Sequence, residues 1–242
     1  MFATHSISCQ ECSTFHKGNF HSVPEKGLHK LDSCKQIYKY KKGELIFQNG
    51  ETSQHFYCVS SGEIQLFRTG NQKEHSFAIV GPGAWLGHRD VIAGTPFQHN
   101  ARCLSSECKV CRIDKSVIKD FINKYPSFMS VVMKELAQGW IMTENQSYNL
   151  GTRKTAERLA DFLLGLIDDN RDSSPEASNR EEILEVEFPL TRETVASLIG
   201  TTTESVIRTL SDFKGRGWID FDKGSSIRIL KEKELRHVLE GS

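Results

Sequence analysis

The chain lacks any uninterrupted apolar run of about 18 residues, so no membrane-spanning helix is expected. Its opening residues, MFATHSISCQEC, hold no apolar stretch of the kind that directs secretion. A reducing cytoplasm is therefore the expected compartment, where seven cysteines serve as thiols or metal ligands rather than as disulfides. Net charge is missing too: 31 basic side chains cancel 31 acidic ones, so no global positive field announces nucleic acid. Catalytic signatures are also lacking, with no phosphate-binding glycine loop, no HExxH, no HxH pair and no Ser/His/Asp set. A metal-dependent enzyme on a cupin-like barrel remains the alternative. It would need clustered ligands, whereas His75, His88 and His99 read as scattered among loops. An enzyme is not expected. At 242 residues the chain is long enough for one large or two modest domains.

What is present is best read from Thr191 to Gly217, TRETVASLIGTTTESVIRTLSDFKGRG. Thr191 is placed to cap a short helix with Glu193 in its first turn and Val195, Leu198 and Ile199 as its apolar stripe. Gly200 follows where a left-handed C-cap needs a residue without Cβ. Thr202 caps a second helix that carries Glu204 early and buries Val206, Leu210 and Phe213; Gly215 and Gly217 end it. Two short helices meeting at one glycine form a helix-turn-helix, whose second helix enters the major groove. Thr203, Glu204, Ile207 and Arg208 then face the bases. Glu204 can accept from cytosine N4, Arg208 can donate twice to guanine, and Ile207 can pack on a thymine methyl. The candidate DNA contacts are Thr191, Arg192, Thr202, Thr203, Glu204, Ile207, Arg208 and Lys214. The plain alternative is that Glu204 and Arg208 form an ordinary surface pair one turn apart. The segment carries four basic and three acidic residues. Specificity carried by base edges does not require a strongly basic protein.

Upstream, residues 1–30 read as a polar arm with Cys9-x-x-Cys12, then His16 and His21. This pair places two thiolates for one iron or zinc, or is incidental. From Ile37 to Ile113 short alternating runs are broken by glycine: a strand Leu45–Phe47 between turns at Gly43 and Gly50, HFYCVSSGEIQLF with a turn at Gly62, SFAIVGPGAWLG, and ECKVCRI. Ile64 and Leu66 alternate there with Glu63 and Gln65. Such strands suggest a small barrel or jelly roll. KSVIKDFINKYPS begins a helical region interrupted before Pro126. Met133, Leu136, Trp140, Thr143, Ser147 and Leu150 then step by three and four, the spacing of a two-stranded seam. This stripe serves either a dimer interface or packing on its own domain. Ala156, Leu159, Ala160, Leu163 and Ile167 share a helix face, EILEVEFPL reads as a strand, and WIDFDKGSSIRIL reads as two strands about Gly224. The expected domains are the arm 1–30, a sensor 31–126, a long helix 127–150 and a C-terminal domain 151–242.

The β segment resembles the β-roll of the CRP/FNR family of bacterial transcription regulators. Gly43-Glu44, Phe47, Gly50-Glu51, Phe56-Tyr57, Val59, Gly62, Ile64, Leu66 and Gly83-x-x-x-Gly87 carry the resemblance. The order of parts matches from about residue 30 to 235. The resemblance implies an α+β fold: a cyclic-nucleotide-binding-like jelly roll, a long dimerisation helix and a winged helix-turn-helix. It also implies a homodimer reading a palindromic operator on double-stranded DNA. Lys223, Ser225, Ser226 and Arg228 of the wing are then placed to touch phosphate. Activation would add RNA polymerase as a partner, although no residue pattern for that contact is readable.

The sequence departs from the cyclic-AMP readers. His88 stands at the position of their ribose-binding glutamate, and Gln98-His99-Asn100 occupies the neighbourhood of their Arg-Ser pair. Without that arginine a cyclic phosphate loses its charge-assisted partner, and Arg102 is not credited with the role. The oxygen-sensing members instead hold a [4Fe–4S] cluster with clustered N-terminal cysteines and one from the β-roll. Cys9, Cys12 and Cys111 match three of these, while Gly18 replaces the third N-terminal cysteine. A stable cubane needs four ligands. Cys34, His16 or Cys108 would have to stand in, and none has the family spacing. Cys103, Cys108 and Cys111 follow a C-x4-C-x2-C pattern, but on a strand Cys108 and Cys111 point to opposite faces. The open readings are a cluster, another effector (haem, nitric oxide or a thiol switch) in a pocket near Trp85, His88 and His99, or no small-molecule ligand.

Overall fold

In the computed structural model, the described residues are 8–12, 14, 20, 23–71, 73–172, 184–187, 190–221 and 226–239. His16, Gly18 and His21, the wing tip with Lys223, Gly224 and Ser225, and most of the RDSSPEASNREE loop lie outside them. The chain divides into two units, residues 1–142 and 143–242, so the division falls within the long helix and before residue 150.

The first unit begins with a helix absent from the sequence reading, α1 (Glu25–Cys34), which follows Pro24 and buries Leu28 and Leu31. Eight strands follow: β1 (Gln36–Lys41), β2 (Leu45–Phe47), β3 (His55–Ser61), β4 (Ile64–Gly70), β5 (Lys73–Val80), β6 (Trp85–Leu86), β7 (Asn100–Cys103) and β8 (Glu107–Asp114). They form two four-stranded antiparallel sheets, ordered β1-β8-β3-β6 and β2-β7-β4-β5. Side chains alternate across each strand, so β3 and β8 send residues to two different cores. Tyr57, Val59, Cys108 and Val110 join Ile46, Phe47, Ile64 and Leu66 between the sheets. Phe56 and Ile113 instead join a second core with Leu28, Leu31, Trp85, Phe121 and Phe128 from the flanking elements. This is the expected jelly roll. One alternation fails: Gln65 is buried alongside Ile64 and Leu66. Its amide donates to Ser76 at 2.5 Å and accepts from Arg102 at 2.9 Å, which removes the cost of hiding it.

Helix α2 (His88–Ala93) sits between Gly87 and Gly94, both with positive φ. Helix α3 (Lys115–Lys124) stops at Tyr125, as expected ahead of Pro126, and α4 runs Pro126–Thr152. Phe128 and Val132 face the core, and Leu136 packs partly against it. On the same helix Met133, Trp140, Ile141 and Met142 are 54–72% exposed.

The second unit contains α5 (Thr155–Asp172), β9 (Leu184–Glu187), α6 (Arg192–Leu198), α7 (Thr203–Gly215), β10 (Ile219–Phe221), β11 (Ser226–Ile229) and α8 (Glu232–Leu239). The strands form a sheet ordered β10-β11-β9. Leu159, Ala160, Leu163 and Ile167 of α5 form the core with Val195, Ala196 and Ile199 of α6 and Val206, Leu210 and Phe213 of α7. Leu198 is only half-buried, and Ala196 takes the inward position expected of it. This is a winged helix-turn-helix.

Candidate nucleic-acid interface and cysteine site

The helix-turn-helix is set by its caps. The Thr191 hydroxyl accepts the Thr194 N–H at 3.1 Å, and the Thr202 hydroxyl accepts the Ser205 N–H at 3.2 Å. Each satisfies one orphan donor of a helix start, which is worth about 1 kcal/mol. Between them Gly200 has φ +64, and the Thr201 N–H donates back to the Ala196 carbonyl at 2.8 Å. A Cβ on Gly200 would overlap the Leu150 side chain, so Leu150, read from sequence as a seam residue, lies against this turn. With Val206, Leu210 and Phe213 turned inward, α7 leaves Glu204, Ile207 and Arg208 exposed; Thr203 is half-buried. Two other candidates are engaged by strand β10. The Arg192 guanidinium lies 4.6 Å from the Phe221 ring centre, and Lys214 pairs with Asp220 at 3.0 Å. Arg228 pairs with the same carboxylate at 2.8 Å. The outward face of α7 therefore offers an acceptor, an apolar surface and a guanidinium in sequence, a set suited to base edges.

A second site lies in the first unit. Cys9, Cys12, Cys58 and Cys111 line one cavity of about 50 Å³, with Leu31, Lys35, Ile37, Phe20, Ser60 and Thr14. Cys58 and Cys111 are directly opposed across the β3–β8 pair. Cys9 and Cys12 come from the N-terminal segment, which α1 holds in place. Asp32 accepts the Cys9 N–H at 2.8 Å and the Ser8 hydroxyl at 3.1 Å. Lys35 donates to Asp32 at 2.6 Å and to the Cys9 sulfur at 3.0 Å. Burial pushes the Cys9 thiol up to about 12 and the Cys111 thiol up to about 11, and it raises Cys58 as well. For Cys12 burial acts the same way, but hydrogen bonds from Thr14 and Ser60 outweigh it and lower its pKa. Cys12 is thus the most readily ionised of the four. Four soft sulfur donors about one space are a donor set for iron–sulfur or zinc chemistry, so the residues present fit a [4Fe–4S] group.

The structure brings together Cys9, Cys12 and Cys111 and adds Cys58, which the sequence reading did not consider. Its pairing with Cys111 depends on strand register, which no local pattern in FYCVSS reveals. Of the stand-ins read from sequence, His16 lies outside the described residues and the two cysteines lie elsewhere. Cys34 donates to the Leu31 carbonyl at 3.4 Å and does not line the cavity. Cys108 lies between the sheets with its sulfur 2.6 Å from that of Cys103, on the face opposite Cys111. Trp85, His88 and His99, expected to line an effector pocket, do not line this cavity. Trp85 packs among Phe20, Phe56 and Phe128, with His88 at its edge, while His99 sits between Phe47 and Phe77. All three are buried aromatic neighbours. Nor are the histidines all in loops: His75 lies on β5 and His88 opens α2. Arg102 is committed to Gln65 and Glu74, with its guanidinium over Phe67.

Burial, with Arg89 nearby, lowers the His88 pKa from 6.5 to about 4. The unfolded chain takes up this proton below about pH 6.5, whereas the folded chain resists until about pH 4. Stability from the neutral imidazole is therefore complete above pH 6.5 and is lost as pH falls towards 4, on the order of 3 kcal/mol. Urea midpoints of the wild type should fall over this window, and His88→Gln should flatten the fall. Parallel pH profiles for the two proteins would contradict it.

A model of the cyclic nucleotide-binding domain matches residues 37–125, and a model of the Crp-like helix-turn-helix domain matches residues 157–238. Over 219 residues the chain is 26% identical to a CRP-like cAMP-activated global transcriptional regulator of Mycobacterium tuberculosis, covering 90% of this chain and 94% of the relative. It is 28% identical over 235 residues to the fumarate and nitrate reduction regulatory protein of Vibrio cholerae, covering 96% and 90%. Among solved structures, FixK2 from Bradyrhizobium japonicum superposes with a TM-score of 0.71 at 19% identity, covering 84% of this chain and 96% of that one. A CooA mutant from Carboxydothermus hydrogenoformans gives 0.70 at 19% identity, covering 90% and 92%. These two bear on the fold, and the curated relatives are regulators rather than enzymes. With a sensor domain and a Crp-like helix-turn-helix matched in that order, the chain belongs to the CRP/FNR family of DNA-binding transcription regulators.

Proposed function

We propose that this regulator binds palindromic DNA as a homodimer and reads redox state, oxygen or nitric oxide through an iron–sulfur cluster at Cys9, Cys12 and Cys111. The observation that supports this most is the meeting of Cys9 and Cys12 with Cys111, about a hundred positions apart in sequence, around one cavity. The cluster, when bound, supplies a group that oxidants or nitric oxide degrade. The chain's own part is to hold the ligands: Asp32 and Lys35 anchor the Cys9 backbone and sulfur, and the β3–β8 pair fixes Cys111. Leu31, Ile37 and Ile113 supply an apolar wall that limits water. Cyclic-AMP recognition has no matching support, because Arg102 is already paired and His88 is buried.

The dimer reading rests on α4, where Met133 and Trp140, seven residues apart and so on one face of the helix, are 55% and 70% exposed. Two large exposed apolar side chains at heptad spacing are suited to a second copy of the same helix. Met133→Glu/Trp140→Glu should convert a dimer into monomers in sedimentation at micromolar concentration. Operator affinity should fall at least about tenfold, since two linked half-sites become one. An unchanged dimer would remove α4 as the interface.

Protein purified without oxygen tests the sensing claim. A brown sample containing iron and acid-labile sulfide, bleached by air, is the expected result. A colourless, iron-free protein that resists reconstitution with ferrous iron and sulfide would overturn it.

A further inference from the structure

Three thiolates leave one corner of a four-iron cluster without a protein ligand. Position 18, where the family pattern has another N-terminal cysteine, is glycine. We infer that Cys58 supplies the fourth thiolate, completing a set of two ligands from the N-terminal segment and two from adjacent strands. The inference rests on the cluster reading above.

Cys58 and Cys111 are register partners on antiparallel strands, so their side chains leave the sheet on the same face about 5 Å apart. Strand alternation confirms the direction. Tyr57 and Val59 point between the sheets, while Phe56 and Ser60 share the Cys58 face, and Ser60 lines the same cavity. On β8, Cys108 and Val110 point inward, and Cys111 joins Ile113 outside. The N-terminal segment closes over this pair, with Cys12 at 3.9 Å from the Ser60 hydroxyl.

Among the described residues, no three His, Cys, Asp or Glu side chains converge tightly enough to hold one metal ion. Four thiols lining one cavity suit a group in which each sulfur meets a different iron. Ligation replaces each S–H bond by S–Fe and releases one proton per thiol to solvent.

The test is anaerobic reconstitution of the full chain with ferrous iron and sulfide, comparing wild type, Cys58→Ala, Cys58→Ser and Cys34→Ala. Iron, acid-labile sulfide, visible circular dichroism and electron paramagnetic resonance are read, with far-ultraviolet circular dichroism as the fold control. Wild type and Cys34→Ala should hold about four irons and four sulfides per chain. Both Cys58 variants should fold but lose at least one iron and change the resonance spectrum. Full iron content with wild-type spectra in the Cys58 variants would overturn the inference and leave the cluster reading standing. A wild type that takes up neither iron nor sulfide would overturn the cluster reading itself. The serine variant nearly preserves volume, so it remains informative if the alanine variant fails to fold.

Discussion

Arg208→Ala should weaken binding to the operator by roughly 2–6 kcal/mol per dimer while leaving affinity for scrambled DNA nearly unchanged. A guanidinium that donates twice to one guanine is worth about 1–3 kcal/mol, and a symmetric dimer uses it twice. At about 1.4 kcal/mol per tenfold, the expected loss is at least about 30-fold. Arg208 is exposed on α7 while Val206 and Leu210, on either side of it, are buried, so the substitution removes no core contact. Alanine is also a better helix former than arginine, which keeps α7 intact. Arg208→Lys separates recognition from attraction. Lysine preserves charge but not the planar fork, so it should keep wild-type affinity for scrambled DNA yet fail to restore affinity for operator. Titrations of the three proteins on both duplexes settle the matter. Equal losses on operator and scrambled DNA would reduce Arg208 to a phosphate contact.

Gly62→Ala should destabilise the sensor domain by about 3 kcal/mol or more, whereas Gly50→Ala should cost only about 1–2 kcal/mol. Both glycines have positive φ, +83 and +86, so an alanine is strained at either position. They differ in surroundings. Around Gly50 a Cβ meets nothing within 4 Å, whereas at Gly62 it would stand 2.6 Å from the Glu107 carbonyl oxygen and 3.0 Å from Cys108 Cα. Those are backbone atoms of β8, which cannot move without shifting the strand that carries Cys111. Urea unfolding of the two variants isolates the packing cost from the backbone cost. Similar midpoints would mean that β8 yields at no cost. Iron content is a second readout, because a displaced β8 should also impair reconstitution in Gly62→Ala.

The helix-turn-helix was legible because its signals are local. Thr191 and Thr202 cap their helices, Gly200 takes the left-handed turn, and Val206, Leu210 and Phe213 are buried. The jelly roll was legible from turns at Gly43, Gly50, Gly62 and Gly83, all of positive φ, and from alternation along the strands. What escaped depends on partners distant in sequence. Gln65 reads as an outward residue until Ser76 and Arg102 are found beside it. Leu136 belongs to the periodic stripe of α4 but leans on the first unit's core, because Phe128 and Val132 lie on its side of the helix. Helix α1 is short, and only Gly27, Leu28 and Leu31 are buried in it, too few to show a period. Helix α8 carried signals that went unread: Glu232 and Glu234 in its first turn and Arg236 and His237 in its last. The cysteine site was half visible. The Cys9-x-x-Cys12 spacing is local, but the opposition of Cys58 to Cys111 is a fact of register.

The most direct test of the account joins sensor to DNA. Duplexes selected from a random pool by the reconstituted protein would be titrated without oxygen, then again after brief exposure to air, with Cys111→Ala in parallel. The account predicts a two-fold symmetric site and an affinity that differs at least about tenfold between the two states, within the 1–3 kcal/mol typical of coupled sites. It also predicts no such difference in Cys111→Ala. Equal affinity before and after air, in a wild type that has demonstrably lost its iron, would contradict it.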